Sequence, residues 1–561
     1  MIWDNQVAAN SFPKLKSLCV DRCNKLVNIV CSFILRRLSS LERLDARRCG
    51  SLEVVFELQP LNHLGKNPIP LPLKELTVSE LPKLKCVWDK ELHYQVEFQG
   101  LRSISVSRCE SLACLFPTSV AKDLMQLEVL KINACGIAKI IEKEDGLVPR
   151  FVFPKLTSLE LNFLRELKCL YIGTHTSHWP ALKSLKVYGC EKVEILASHL
   201  ENKMRLDKQP LFLIEKVAFP SLEALNITSL DNIEMIWDNQ VAANSFPKLK
   251  SLCVDRCNKL VNIVCSFILR RLSSLERLDA RRCGSLEVVF ELQPLNQLDR
   301  NPIALPLKEL TVSELPKLKC VWDKELHCQV EFRGLCSISV SRCESLACLF
   351  PTSVAKDLIL LEELKIDECG IAEIIEKEDG LVPRFVFPKL TSLELNYLRE
   401  LKCLYIGTHT SDWPALKSLK VHGCEKVEIL ASHLENEMLP DKQPLFLIEK
   451  GAFPNLQELK LDLSKRMEIW HGHFHDGEFF CKLSLLKLRH LSQESSISTC
   501  RFVESLTNLE ELVVCESYLE DPSSNEEAIE GTSREMKVIL PFSRYIRHLQ
   551  TLDVSHCDGL L

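Results

Sequence analysis

Cysteines are the residues of this 561-residue chain whose number and spacing most suggest chemistry, 26 in all. Eleven fall in one slot, eight residues after a leucine that opens a recurring pattern: Cys23, Cys49, Cys109, Cys135, Cys190, Cys257, Cys283, Cys343, Cys369, Cys424 and Cys557. Cys19 with Cys23, and Cys253 with Cys257, form CxxxC pairs. A zinc site needs about four convergent ligands. Here Cys19 sits on the outward side of an extended segment and Cys23 points inward, so the pair does not converge. Disulfide frameworks staple small secreted chains that lack a core, whereas this chain is rich in leucine. The slot cysteines are therefore expected to be reduced and structural: small buried thiols that weakly hydrogen-bond the turn backbone. A second cluster, His471, His473, His475, Asp476 and Glu478, has transition-metal ligand types. It occurs once, between two repeats and among glycines, and is expected to be a solvent-exposed loop. No GxxxxGK[ST] phosphate loop, GxGxxG after a strand, GxSxG elbow or HExxH helix is present. The expectation is a chain that is not an enzyme, with no catalytic, cofactor-binding or metal residue.

What positions the cysteines is a repeat. The frame LxxLxVxxCxxL fits Leu15, Leu18, Val20, Cys23 and Leu26. It recurs from Leu41, Leu73, Leu101, Leu127, Leu156, Leu182 and Leu222, then from Leu249, Leu275, Leu307, Leu335, Leu361, Leu390, Leu416 and Leu456. Divergent repeats open at Leu483, Leu509 and Leu549, giving about 19 repeats of close to 30 residues. That is the upper edge of the leucine-rich-repeat period. Within a repeat, Leu18 and Val20 alternate with Ser17, Cys19 and Asp21, a period-two strand. One repeat cannot bury this one-sided set, so neighbours must stack into a ladder of short parallel strands. The fold class expected is α/β: a curved leucine-rich-repeat solenoid, with strands on the concave face and an irregular convex side carrying few short helices. Helices are expected over 33–41 and 119–127 and their duplicates, from leucines three or four apart. Phe-Pro openers such as Phe153–Pro154, and aromatics such as Phe56, Trp88, Phe116, Tyr171 and Trp237, are expected to pack behind the sheet. A ligand-binding aromatic stripe is the other reading of the same residues. Stretches 198–210, 432–444 and 521–532 read as outer loops.

A longer period overlies the short one. Residues 1–216 and 235–450 align without a gap and differ at 19 positions, about 91% identity. One continuous array over 1–561 is expected, with long duplicates at 1–234 and 235–458 and divergent repeats over 459–561. The formal charge of −6 leaves no polybasic argument for nucleic acid. No uncharged apolar run reaches 18 residues, so no membrane span is expected. The first residues carry no signal-peptide pattern, and a cytoplasmic, or nuclear, location follows. Both ends read as cut from a longer array, because capping repeats are not visible.

With no site for chemistry, what remains is surface. Positions one, two, four, six and seven after each first leucine are assigned to the concave side, a candidate protein-recognition face. It includes Arg47 and Arg48. None of the differences between duplicates falls on the frame. Six fall on this face: Arg102 against Cys336, Val129 against Glu363, Asn133 against Asp367, Ala134 against Glu368, Phe163 against Tyr397 and Tyr188 against His422.

Segments such as Phe12-Pro13-Lys14-Leu15-Lys16-Ser17-Leu18-Cys19-Val20-Asp21-Arg22-Cys23 and Trp179-Pro180-Ala181-Leu182-Lys183-Ser184-Leu185-Lys186-Val187-Tyr188-Gly189-Cys190 carry a resemblance. The chain resembles the leucine-rich-repeat region of plant intracellular coiled-coil, nucleotide-binding, leucine-rich-repeat disease resistance proteins, here without the coiled coil and the nucleotide-binding domain. The resemblance implies a defence role. The repeats would sense a pathogen effector or a guarded host protein and restrain a nucleotide-binding domain. Alternatives are the substrate-recognition array of a ubiquitin-ligase adaptor and a non-immune protein-binding scaffold.

Overall fold

The computed structural model describes residues 2–3, 11–57, 69–89, 96–142, 150–171, 176–194, 196–198, 210–213, 219–237, 245–291, 303–323, 330–377, 384–405, 410–428, 430–432, 445–447, 453–462, 480–491, 502–503, 506–517 and 548–557. They fall into two compact units, Met1–Leu275 with Arg282–Gly284, and Glu276–Arg281 with Ser285–Leu561.

In the first unit the alternating segments form nine five-residue strands: Ser17–Asp21, Arg43–Arg47, Glu75–Ser79, Ser103–Ser107, Val129–Asn133, Ser158–Asn162, Ser184–Tyr188, Ala224–Thr228 and Ser251–Asp255. Each pairs in parallel with the next in chain order and in constant register, so Leu44 faces Leu76 and Leu159 faces Leu185. The second unit has ten: Arg277–Arg281, Glu309–Ser313, Ser337–Ser341, Glu363–Asp367, Ser392–Asn396, Ser418–His422, Glu458–Asp462, Leu485–Arg489, Glu511–Cys515 and Thr551–Ser555. Constant register stacks identical positions, and the inward leucines and valines become continuous rows. Leu44, Leu76, Ile104, Leu159, Leu185 and Leu225 are at most 1% exposed. Leu18, on the first strand, is half-buried, and Leu552, on the last, is exposed.

Two turns close each repeat. The Phe-Pro openers are β-turns: Leu156 N–H donates to Phe153 O and Leu222 N–H to Phe219 O, with proline at the second turn position, where its fixed φ fits. The second turn joins the slot to the leucine three residues on, as from Cys49 to Leu52 and from Leu164 to Leu167. Between them the chain leaves the strand through one left-handed residue. Arg22, Arg48, Glu80, Arg108, Ala134, Phe163, Gly189, Ser229, Arg256 and Arg282 do so in the first unit, with φ from 50° to 64°. Only one of these is glycine. The N–H of the left-handed residue donates to the last strand carbonyl of the following repeat, as Arg48 to Ser79 O and Phe163 to Tyr188 O.

The slot side chain secures the same carbonyl. Cys49 Sγ lies 3.2 Å from Arg47 O, Cys109 Sγ 3.3 Å from Ser107 O, and Cys369 Sγ 3.2 Å from Asp367 O. The Cys23 and Cys257 amides in turn reach the sulfurs of Cys49 and Cys283 at 3.3 and 3.4 Å. Ser517 occupies the slot in one divergent repeat and does the same with a hydroxyl, 2.7 Å from Cys515 O. Cys49, Cys109, Cys135, Cys190, Cys257, Cys283, Cys343, Cys369 and Cys424 are buried. Cys557 is half-buried, and Cys23 is exposed because no earlier strand covers it among the described residues. Burial pushes the Cys190 thiol up to about 11 and Cys424 to about 12, so both stay protonated and poorly nucleophilic.

The far side differs in detail from expectation. The helices are shorter, at Ser32–Leu35, Thr118–Asp123, Ser266–Leu269 and Thr352–Asp357, and none has a side-chain N-cap. Leu124 leaves the helical region at ψ 45°, and Leu127 N–H bonds Leu124 O. The leucines three apart there serve a turn into the next strand, not a longer helix. Short parallel strands form a second set of ladders behind the sheet. Asn28–Cys31, Val54–Glu57 and Cys86–Trp88 make one, and Cys114–Phe116, Lys139–Ile141 and Cys169–Tyr171 another. Phe56, Trp88 and Phe116 in them are core. Phe56 and Trp88 stack at 6.4 Å and 7°, Trp88 meets Phe116 at 5.2 Å, and all three are at most 1% exposed.

Two outcomes are expected. Leu159→Ala should cost about 2–5 kcal/mol through the cavity it leaves, while Phe163→Ala, four residues on and half-open, should cost about 0.5–1.5 kcal/mol through its lost ring contact. Urea titration of both variants checks this, and equal losses would contradict the inward row. Thiol titration in denaturant without reductant should recover nearly all 26 cysteines, since no disulfide forms among the 24 described. A deficit of four or more thiols would show disulfides.

Candidate functional site

The strand face carries the second, fourth and sixth positions after each first leucine, flanked by the first and the left-handed seventh. Constant register puts like positions side by side, and opposite charges there pair across neighbouring strands. Glu42 meets Lys74 at 3.0 Å, Arg43 meets Glu75 at 3.5 Å, and Arg48 meets Asp21 at 2.6 Å. Glu160 lies between Lys131 and Lys186, at 3.5 and 3.6 Å. The second unit repeats this with Glu394 between Lys365 and Lys420, at 3.5 and 2.7 Å. Exposed pairs contribute about 0–1 kcal/mol each. Their main effect is that most charges on the face already have a counter-charge.

The aromatic residues break that pattern. Phe163 sits at a left-handed position, φ 53°, with 45% of its surface exposed. Its ring meets Tyr188 edge-on at 4.6 Å and lies over Gly189. A Cβ on Gly189, itself at φ 64°, would come within 2.9 Å of Phe163 Cδ1. Glycine there satisfies both the backbone and the ring. Tyr397, 48% exposed, repeats the arrangement over Gly423, where a Cβ would come within 2.7 Å of its Cδ1. Its ring meets His422 at 4.8 Å, and its hydroxyl lies 2.9 Å from His422 Nε2.

From His422 a chain of polar contacts runs along the second unit. His422 Nδ1 lies 2.8 Å from Asp462 Oδ2, and His490 Nδ1 meets Asp462 Oδ1. His490 Nε2 lies 2.8 Å from Glu516 Oε2, which also takes Arg489 at 2.9 Å. The neutral His422 tautomer that donates from Nδ1 satisfies both its contacts, accepting from the tyrosine hydroxyl. His490 stands between two carboxylates, with Nδ1 toward Asp462 and Nε2 toward Glu516.

Of the residues singled out by sequence, Arg47, Arg48, Arg102, Glu363, Glu368, Phe163 and Tyr397 are exposed. Val129, Asn133, Ala134, Tyr188, Cys336, Asp367 and His422 are half-buried. The structure brings Asn133, Ala134, Phe163 and Tyr188 onto adjacent repeats in one unit, and Glu363, Asp367, Glu368, Tyr397 and His422 in the other. Arg47 pairs with Asp45, and Arg102 and Cys336 stand one position before their strands. Sequence reasoning missed Gly189, Gly423, Asp462, His490 and Glu516. The two glycines were detectable as breaks in a position that otherwise carries a side chain. His471, His473, His475, Asp476 and Glu478 lie outside the described residues, as do 521–532 and nearly all of 198–210 and 432–444. Among the described residues no group of three His, Cys, Asp or Glu side chains is placed to hold a metal. No described helix is long and apolar enough to cross a membrane.

Hydrogen bonding from Lys420, opposed by burial, holds the Glu394 carboxyl below its ordinary value. A depressed folded value adds stability that is fully present above the unfolded pKa, about 4.3, and is lost as pH falls through the folded one. Urea midpoints of wild type and Glu394→Gln should therefore differ most near pH 7 and converge below about pH 4. A gap that stays constant from pH 7 to 3 would contradict the assignment.

Residues 1–136 and 221–370 match the family described as "Plant disease resistance protein RPS2-like, leucine-rich repeats". Comparison with curated protein sequences gives no match. Among solved structures, the crystal structure of a TLR13–ssRNA13 complex is 14% identical, over 95% of this chain and 80% of that one, with a TM-score of 0.27. A leucine-rich-repeat protein of Leptospira interrogans is also 14% identical, over 90% of this chain and 91% of that one, with a TM-score of 0.26. Neither likeness carries information on function.

Proposed function

The chain belongs to the RPS2-like leucine-rich-repeat family, and we propose that it is the recognition module of a plant defence receptor of the coiled-coil, nucleotide-binding class. As a repeat array of this family it is a protein-interaction module. In the proposed role it works in the cytoplasm or nucleus, binds a pathogen effector or a guarded host protein, and restrains a nucleotide-binding switch. Recognition is placed on the strand face, around Phe163 with Tyr188 and around Tyr397 with His422.

The observation that carries this reading is the exposure of Phe163 and Tyr397 on a face where charges such as Glu160 and Glu394 are laterally paired. A large aromatic held half-open, with its backbone in a costly conformation, has no role in burying the core. It has the features of a binding anchor, since interface energy concentrates in a few aromatic and arginine residues. Both duplicates keep it while the ring itself changes.

The test is proximity labelling with the full chain, fused to a biotin ligase, in leaf cells expressing individual pathogen effectors. Proteins enriched with wild type should be lost with Phe163→Ser plus Tyr397→Ser. Affinity for the recovered partner should fall about tenfold or more. Lys85→Ser, on the far side, should change nothing. Recovery of the same proteins with the double variant would overturn the reading.

A further inference from the structure

The two aromatic platforms share a backbone and differ in chemistry. Around Phe163 the matched neighbours are uncharged: Val129, Asn133, Ala134 and Tyr188. Around Tyr397 the same places hold Glu363, Asp367, Glu368 and His422. Asp367 faces Asn396 in register, the residue before Tyr397. Glu368 N–H donates to Asn396 O, which sets the Glu368 side chain next to Tyr397 along the left-handed row.

The cations nearby are already committed. Arg342 Nε lies 3.2 Å from Glu368, and Lys365 lies 3.5 Å from Glu394. Among the described residues Asp367 forms no ion pair. Burial, then the adjacent Glu368 charge, push its carboxyl above its ordinary value. An ionised Asp367 is thus half-desolvated beside a like charge, a state that an incoming cation relieves. The exposed tyrosine ring offers the same visitor an electron-rich face. A planar guanidinium fits both, since it stacks on rings and bonds carboxylates through paired N–H groups.

We propose that Tyr397, Asp367 and Glu368 form a subsite for an arginine side chain of a protein partner, whereas Phe163, Asn133 and Ala134 form its uncharged counterpart for an apolar side chain. The duplication thereby gives one chain two anchors of different specificity. This rests on the reading of the strand face as the recognition surface.

The experiment selects peptides from a random twelve-residue display library on the full chain. Bound peptides are then resynthesised with arginine replaced by citrulline, its neutral isostere, and affinities are read by fluorescence anisotropy. Peptides bearing arginine should be enriched, and citrulline should weaken them about fivefold. Asp367→Asn with Glu368→Ala should weaken the arginine peptide to a similar extent and abolish the difference between arginine and citrulline. These variants fold, because asparagine and alanine already stand at the matched positions, Ala134 with the same left-handed backbone, φ 51°. Selection without basic residues, or arginine and citrulline bound equally, overturns the subsite. Peptides that lose binding with Phe163→Ser plus Tyr397→Ser but ignore the Asp367 and Glu368 changes overturn the subsite alone. Peptides whose binding survives the double serine variant overturn the recognition face itself.

Discussion

Parallel strands stacked without offset must all leave the sheet at the same place, because a chain that ran one residue further would collide with its neighbour's turn. In both units the exit is a single left-handed residue after the fifth strand position, in every repeat where that position is described. For a residue with a Cβ this conformation costs about 1–2 kcal/mol, and arginine, glutamate, phenylalanine and tyrosine all accept it here. Two groups hold it. The kinked N–H bonds the strand-end carbonyl of the following repeat, and the slot thiol bonds the strand-end carbonyl of its own, as at Arg48 and Cys49. The slot side chain turns inward beneath the kink. Cysteine, serine and leucine each fill it, the first two by hydrogen bonding and Leu81, Leu164 and Leu230 by burial alone.

The same kink builds the face. A residue at φ near +50° directs its side chain out of the pleat, so the left-handed row stands proud of the paired charges. Arg48 and Arg282 in that row are paired, with Asp21 and Asp255. Where the left-handed residue is aromatic, the next repeat must make room. Gly189 and Gly423 are the two described kinks without a Cβ, and both lie under a ring. The platform is therefore a property of two adjacent repeats, and neither would form it alone.

The leucine frame and the inward cysteine slot were legible from sequence because both repeat and both are one-sided. The short ladders behind the sheet were not. Cys86–Trp88 and Cys114–Phe116 span three residues each, too few for alternation to register against irregular backbone. The helical spacing over 119–127 misled because a turn that buries Leu124 and Leu127 uses the same three-residue interval as a helix. The kink was hidden by its occupants: outside glycine, nothing in Arg48 or Glu80 marks a positive φ. The lysine–glutamate–lysine rows needed the register, which only the paired strands supply.

Divergence between the duplicates follows the same logic of adjacency. Phe163 against Tyr397 and Tyr188 against His422 are changes in neighbouring repeats, and the ring contact keeps its geometry, 4.6 Å and 77° against 4.8 Å and 78°. Together they add a hydroxyl to imidazole bond at 2.9 Å and connect the ring pair to Asp462, at a repeat position where the strand beside Tyr188 has Thr228. Asp412, where the first duplicate has His178 in sequence, pairs with Arg384 at 2.7 Å. Changes that gain a partner across the ladder alter the surface without touching the leucine rows, since side chains of the two sets leave opposite faces of the strand. A duplicated array can thus change what it presents, position by position, while its core stays fixed by register.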